Sequence, residues 1–451
     1  MESPKFLTDK HLTLVYASQG FCSGILPLGL ASISAYLKYY GKFDGISVLD
    51  ANCQDIYKDF VPPDVVGITA VTQDIGNATR FARFVKERAN IPIILGGVHL
   101  STLRQLPEPF DLGVIGEGEV TMLELMSLPD LSPESLRTVK GICFRDGGEV
   151  IFTEPRELIN DLDTIPLPDR ELFNLNYYLQ PRNLIPYYTG RTLTMLSSRG
   201  CPFNCRFCST KVHWKKFRAF SAERVVAEME LLIIKYNVEI LHIFDDLFIA
   251  DRKRLLAISK LVKEKGLHRK VKFMCLVRSD MVDDTVMSVL KDMNVVATGA
   301  GMESGSDRML RYLKRDTTTV EMNHHLIELS TRYQIPVMGS FMVGNPEETV
   351  EDLQDTLNFM LSHRDNKYFT PLTYIATTFP GTEFWDYAMA RNIPVDEYQR
   401  IVMDIPSDMN ALKDAPLLTN LPLPQFFDLA QQCHQETIYK QKVFGNQFGQ
   451  D

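Results

Sequence analysis

Ser198-Arg199-Gly200-Cys201-Pro202-Phe203-Asn204-Cys205-Arg206-Phe207-Cys208 carries three cysteines at spacings of four and three, so one loop can wrap a single metal cluster. Thiolates are the standard protein ligands of iron–sulfur clusters, which usually take four of them. This loop offers three and no evident fourth, which leaves one iron open to an outside ligand. Phe207, next to Cys208, sets an aromatic ring where a flat ligand can stack beside the cluster. A zinc loop is the competing reading; it needs a fourth tetrahedral ligand, and His213 is the candidate. The cluster reading demands a strand before the loop and a partial barrel after it.

Thr192-Leu193-Thr194-Met195-Leu196-Ser197 supplies that strand. Downstream, helical segments alternate with apolar strands at 240–244, 271–276, 296–302, 337–343 and 369–376. About six β/α units make an incomplete TIM-like barrel, with functional residues at the carboxyl ends of the strands. Asp245 and Asp246 end the second strand, where paired carboxylates can bind an amino group, orient substrate or accept a proton. One of the two can instead cap the next helix. Arg278 follows the third strand and suits a carboxylate ligand, or else pairs with Asp280. Glu303 and Ser304 end the fourth strand, and Ser340 lies in the fifth. Glu347 or Glu348 can simply open the following helix, where acids are favourable.

Upstream, strands at 12–17, 46–50, 65–70, 93–97 and 112–116 alternate with helices, which implies a doubly wound, Rossmann-like parallel sheet. Ligands bind such sheets at the carboxyl ends of the strands. Three patches collect there: Leu26-Pro27-Leu28-Gly29, Gly96-Gly97-Val98-His99 and Gly116-Glu117-Gly118-Glu119. Glycines at strand ends let a backbone approach a ligand closely, although most are only turns.

The chain has 451 residues, too many for one core. The reading divides it into a sheet domain over 1–126, a linker with a hairpin over 127–190, the barrel over 191–387, and a helical cap over 388–451. A formal charge of −9 argues against a large nucleic-acid surface. The local basic cluster Lys211, Lys215, Lys216 and Arg218 is read as facing water or an acidic ligand group. Eight cysteines are too few for a disulfide scaffold and favour metal chemistry in a reducing cytosol. Neither a signal pattern nor an apolar run near ~18–20 residues is present, so a soluble, cytoplasmic protein without membrane partners is expected.

The cysteine loop, with its preceding Arg-Gly and the aromatic before the last cysteine, closely resembles the signature of radical S-adenosylmethionine (SAM) enzymes. That resemblance implies a [4Fe-4S] cluster on Cys201, Cys205 and Cys208 whose open iron binds the amino and carboxylate groups of SAM. It also implies that Glu303, in Gly301-Met302-Glu303-Ser304-Gly305, accepts hydrogen bonds from the ribose. The segment Gly339 to Thr349, with Ser340, would contact adenine. Phe379-Pro380-Gly381-Thr382 matches a turn common in one subgroup. The order and spacing of the three upstream patches resemble the cobalamin-binding domain of that subgroup, the class B radical SAM methylases. By that likeness Leu28, Thr69, Thr72, Gln73, Gly96, Gly97, His99, Gly116, Glu117, Gly118 and Glu119 lie around cobalamin. Cobalamin proteins that place a histidine on cobalt carry Asp-x-His-x-x-Gly after the first strand. Here only Asp9-Lys10-His11 comes near, with Leu14 where glycine belongs, so no histidine on cobalt is expected. His99 is read as a helix cap or ring-edge contact. Methylthiotransferases of the same superfamily use three N-terminal cysteines for a second cluster. Cys22, Cys53 and Cys143 are instead read as structural, with a polar cofactor-site role open for Cys22 or Cys53.

The resemblance implies methyl transfer to an unactivated sp³ carbon with two SAM molecules, one remaking methylcobalamin and one yielding the 5′-deoxyadenosyl radical. A flavodoxin- or ferredoxin-type donor would supply the electron. The substrate is a peptide, a protein side chain or a small molecule. Ring formation or rearrangement without methyl transfer is the alternative, and a non-catalytic cobalamin or iron–sulfur sensor is the alternative from another class.

Overall fold

The computed structural model describes residues 10–18, 24–185, 188–394 and 417–444. It separates into two compact units, Met1–Leu179 and Gln180–Asp451. Cys22 and Asp9 lie outside the described residues.

The first unit is built on β1 (Leu12–Tyr16), β2 (Ile46–Asp50), β3 (Val65–Thr69), β4 (Ile93–Gly96), β5 (Leu112–Val114), β6 (Ile142–Asp146) and β7 (Glu149–Phe152). They form one sheet in the order β2-β1-β3-β4-β5-β6-β7. Strands β1 to β5 pair in parallel. They are predominantly apolar, as strands of a parallel sheet buried on both faces are. The chain reverses its winding direction between β1 and β3, and the carboxyl ends of these strands open a crevice there. Phe81, Val85, Phe110 and Leu100 are wholly buried on one side of the sheet.

Residues read as a linker prove to belong largely to this unit. Strands β6 and β7 add to β5 in antiparallel register around the turn at Gly147-Gly148. Cys143 sits on β6, fully buried, and burial pushes its thiol up to about 12. Tyr178 is also fully buried, and its hydroxyl bonds Asp50 at the end of β2. The polypeptide through Leu179 is therefore packed as part of the sheet domain.

The second unit opens with a small antiparallel pair, β8 (Arg182–Ile185) and β9 (Tyr188–Gly190). A further short pair, β11 (Ser198–Arg199) and β12 (Arg218–Ala219), brackets the cysteine loop. The main sheet consists of β10 (Thr192–Met195), β13 (Ile240–Ile243), β14 (Lys272–Val277), β15 (Val295–Glu303), β16 (Val337–Val343) and β17 (Phe369–Ile375). These six run in sequence order and entirely in parallel, the topology of a partial (β/α)6 barrel. Ile240, Met274, Ala297 and Met338 meet inside it, with Tyr188 and Leu372 packed against them.

The helix Leu423–Phe444 packs on the helix Val350–Ser362 and on β17. Lys440 is buried there, and its ammonium donates to the carbonyls of His363 and Asn366 at 3.0 and 2.6 Å. These carbonyls lie just past the carboxyl end of Val350–Ser362, where a cation complements the helix dipole. This part of the tail thus braces the outside of the barrel beside its last strand. Among the described residues, no helix is long and apolar enough to cross a membrane.

Candidate functional site

The cysteine loop is held from below by Asp245. Its Oδ1 accepts from the backbone N–H groups of Ser197 and Ser198 at 2.6 and 3.2 Å. Its Oδ2 accepts from the two serine hydroxyls at 2.5 and 2.7 Å. Burial pushes this carboxyl up, while the serine donors and the Arg254 charge oppose that shift. With no exposed surface and four donors engaged, Asp245 has no oxygen left for SAM or a proton in transit. These bonds make Asp245 the anchor of the strand-to-loop turn. Asp246 points elsewhere, is exposed, and accepts from Thr210 Oγ1 at 2.9 Å.

Gly200 takes φ +86°, and an added Cβ would stand 2.7 Å from the Lys216 carbonyl and 2.9 Å from Trp214 Cβ. Only glycine turns the chain there into Cys201. The three cysteines that follow are all partly exposed and free. Three thiolates in one loop, each able to serve a different iron, are a donor set that fits an iron–sulfur cluster.

Arg278 donates through Nη1 to Cys205 Sγ at 3.4 Å and stacks its guanidinium 3.7 Å from the Phe203 ring centre. It also forks onto Asp280 at 2.9 and 3.2 Å and reaches Thr317 and Thr318 at 2.7 and 3.1 Å. The resulting network brings a fixed positive charge to the cysteine loop.

Glu303 ends β15 at a register shift and adopts φ +63°, a left-handed conformation unusual for a bulky residue. Its carboxylate folds back over Gly301, where an added Cβ would come within 2.2 Å of Oε1. Lys314 approaches it to 3.8 Å and donates to the Gly301 carbonyl. Burial pushes Glu303 up, and the charges of Lys314 and Arg278 pull it back down. Strain of this kind persists where surrounding contacts over-determine it, and it clusters at ligand sites. Ser304, fully buried, shares a 3.0 Å hydroxyl contact with Thr356 and shapes the turn beyond Glu303. Ser340 is half-buried on β16, in register with Gly301. Phe207 lies 6.2 Å from the Phe384 ring centre.

Glu348 does more than open a helix. That helix is capped by Thr349 and Asp352. Glu348 turns inward and accepts from Gly344 N at 2.6 Å and from the Asn345 backbone and side chain at 3.3 and 3.2 Å. Burial pushes it up to about 7. It thereby fixes the loop after β16. Phe426 of the tail helix closes on the same loop, 3.1 Å from a Cβ placed on Gly344.

In the first unit, Thr69, Gly96, Gly97 and Gly116 gather at the strand ends, with Thr72 and Gln73 in the turn after β3. Gly97 has φ +100°, and its missing Cβ leaves room for Ala70 O at 2.5 Å and Thr69 Oγ1 at 2.9 Å. Gly116 has φ +83° with nothing within 4 Å of an added Cβ, so its glycine answers to backbone conformation beside open space. Leu28 begins the helix Leu28–Gly41 and is half-buried. His99 is buried in the short helix after β4, and its backbone N–H bonds Ala70 O. This open, glycine-lined crevice fits a large planar cofactor. Two assigned residues depart from it. Glu119 is buried and accepts from Ser32 Oγ at 2.7 Å, and Glu117 accepts from Ile159 N at 2.8 Å. A buried carboxylate needs internal donors, and these two have them. At Gly118 an added Cβ would meet Ile33 Cδ1 at 2.8 Å.

Three residues escaped the sequence reading. Lys314 carries no motif and meets Glu303 only because a helix turns back over the strand end. Arg254 donates to Ser197 Oγ at 2.6 Å and completes the Asp245 anchor. His242 lies on the barrel face of β13, two residues after the lumen residue Ile240; period-two alternation was the available signal.

Residues 195–360 match the model of the radical SAM superfamily, and residues 23–126 match the B12-binding domain. A protein of Pyrococcus horikoshii named as an uncharacterized methyltransferase is 30% identical over 382 residues, covering 81% of this chain and 79% of its own. The anaerobic magnesium-protoporphyrin IX monomethyl ester cyclase of Cereibacter sphaeroides is 31% identical over 304 residues, 65% of this chain, which spans only 48% of that protein. The structure of the radical SAM methyltransferase TsrM from Kitasatospora setae, with cobalamin and a [4Fe-4S] cluster bound, aligns with TM-score 0.65 at 17% identity over 84% of this chain and 78% of that one. At that identity the last likeness speaks for the fold. Taken with the two matched regions, the kinship to the Pyrococcus protein shows that the chain belongs to the cobalamin-dependent radical SAM enzymes, a methyltransferase-like family.

Proposed function

We propose that this protein is a C-methyltransferase acting on an unactivated sp³ carbon of a peptide, protein side chain or small molecule. The observation that carries this reading is the 30% identity, across about four fifths of both chains, to a protein named as a methyltransferase. Cys201, Cys205 and Cys208 would hold the cluster, and the crevice formed by Thr69, Thr72, Gln73, Gly96, Gly97 and Gly116 would hold cobalamin with no histidine on cobalt. When bound, the cluster supplies a low-potential electron to SAM and cobalamin supplies a carrier for the methyl group.

The protein's own groups orient and shield. Arg278 puts a fixed cation against the cysteine loop, which favours a negatively charged ligand there. Glu303 offers carboxylate oxygens to hydroxyl donors such as those of a ribose. The loop of Ser340 to Asn345, locked by Glu348, offers backbone groups to a flat base. Asp246 remains exposed and suits an amino group or a substrate proton. A flavodoxin- or ferredoxin-type reductant and a cytoplasmic setting belong to the same reading.

Relatedness to the cyclase favours a second reading, radical ring formation without methyl transfer. SAM labelled in its methyl group separates the two. Label in the product supports methylation, and unlabelled product with 5′-deoxyadenosine supports ring chemistry. Absence of 5′-deoxyadenosine would sink both.

A further inference from the structure

We propose that His242 is the polar contact for substrate in the barrel lumen, and that the group it receives is flat and largely apolar with a single hydroxyl or ring N–H. The proposal rests on the reading that substrate enters at the carboxyl ends of the barrel strands.

Side chains two apart on a strand share a face. Ile240 belongs to the cluster inside the barrel, so His242 and Phe244 point the same way. Exposure along this one face rises from 2% at Ile240 to 9% at His242 and 42% at Phe244. The face therefore lines a funnel that widens toward the mouth where the cysteine loop lies. Across the sheet, the same step from the lumen residues Met274, Met338 and Leu372 reaches Leu276, Ser340 and Tyr374. Tyr374 is 48% exposed.

Among the described residues His242 makes no hydrogen bond, and its Nε2 is buried without a partner. His324 and His363 bond each other at 2.7 Å and His11 meets Ser47 at 2.8 Å, whereas His268 and His434 each keep a buried ring nitrogen without a partner but do not lie on a barrel strand. A buried nitrogen left unpaired is costly, and such atoms call for an explanation. A substrate that brings the missing partner supplies one. Burial holds the imidazole down at about 4, so at neutral pH it is uncharged and presents one donor and one acceptor. An uncharged ring selects a neutral protic group over an anion. Phe244 stands edge-on to it, ring centres 5.0 Å apart at 90°. Leu276 and Tyr374 around the same funnel add apolar and aromatic contacts, beside the hydroxyl-bearing Thr194 and Ser340.

Equilibrium binding tests this without turnover, so loss of methyl transfer and loss of this contact are separable results. Phenol and toluene, and indole and 1-methylindole, are titrated into the anaerobically reconstituted full-length protein. The wild type is expected to prefer the protic member of each pair by about fivefold, the worth of one neutral hydrogen bond. His242→Phe keeps the lumen apolar; it should bring the ratio to one and raise the thermal midpoint, because the orphaned nitrogen is gone. His242→Asn should keep part of the preference. Equal ratios in wild type and His242→Phe, failure of the wild type to bind either pair, or a lowered midpoint with an unchanged ratio would each overturn the proposal.

Discussion

Replacing Asp245 by asparagine separates an anchoring role from a catalytic one. In Asp245→Asn the oxygen that accepts from the two backbone N–H groups survives, but an amide NH₂ stands where Oδ2 took both serine hydroxyls. The Ser197 hydroxyl cannot freely reverse its role, since it already accepts from Arg254. Hydrogen bonds to a charged group are worth about 1.5–3 kcal/mol each, so losing two and partly recovering one costs about 3 kcal/mol. Both tryptophans, Trp214 and Trp385, lie in the second unit, so their fluorescence follows barrel unfolding selectively. With a urea slope of about 3 kcal/mol per molar, the midpoint should fall by about 1 M. Iron and sulfide content after reconstitution should fall with it, because Cys201 lies only three residues beyond the anchored Ser198. A variant with wild-type midpoint and cluster content that forms no 5′-deoxyadenosine would refute this reasoning and return Asp245 to the chemistry.

Gly200→Ala meets both a left-handed φ and a backbone oxygen 2.7 Å away, and should cost at least about 2 kcal/mol locally and abolish cluster loading. Gly147→Ala, at φ +59° with open space around it, is the control and should cost about 1 kcal/mol without touching cluster absorbance. Glu348 predicts a pH dependence of known sign. Its folded value near 7 lies above the ordinary carboxylate value, so the folded state holds a proton that the unfolded chain releases in between. Barrel stability should therefore fall by roughly 3 kcal/mol as pH rises from about 4.5 to 7. In Glu348→Gln the tryptophan-detected urea midpoints at pH 5 and pH 8 should converge, and an unchanged difference would show the proton resides elsewhere.

Element order and cofactor class were legible in the sequence because they depend on local signals. Parallel strands covered on both faces read as nearly continuous apolar runs, as at Val65–Thr69 and Val337–Val343. Cys201, Cys205 and Cys208 advertise a cluster by covalent spacing alone. The tertiary structure decided what each polar side chain does, because that depends on which donors lie within reach. Asp245 and Asp246 are adjacent and chemically identical, yet one is buried under four donors and the other is exposed. Glu117 and Glu119 sit in a glycine-rich patch but turn to Ile159 and Ser32, partners distant in sequence. Lys314 reaches Glu303 only through a helix returning over the strand end, and the hairpin over 142–152, legible as such, joins the first sheet through a β5–β6 pairing that no local pattern specifies. The cysteine loop itself keeps its place on a turn whose glycine is needed for a contact with Lys216, sixteen residues on, which only the folded chain brings together.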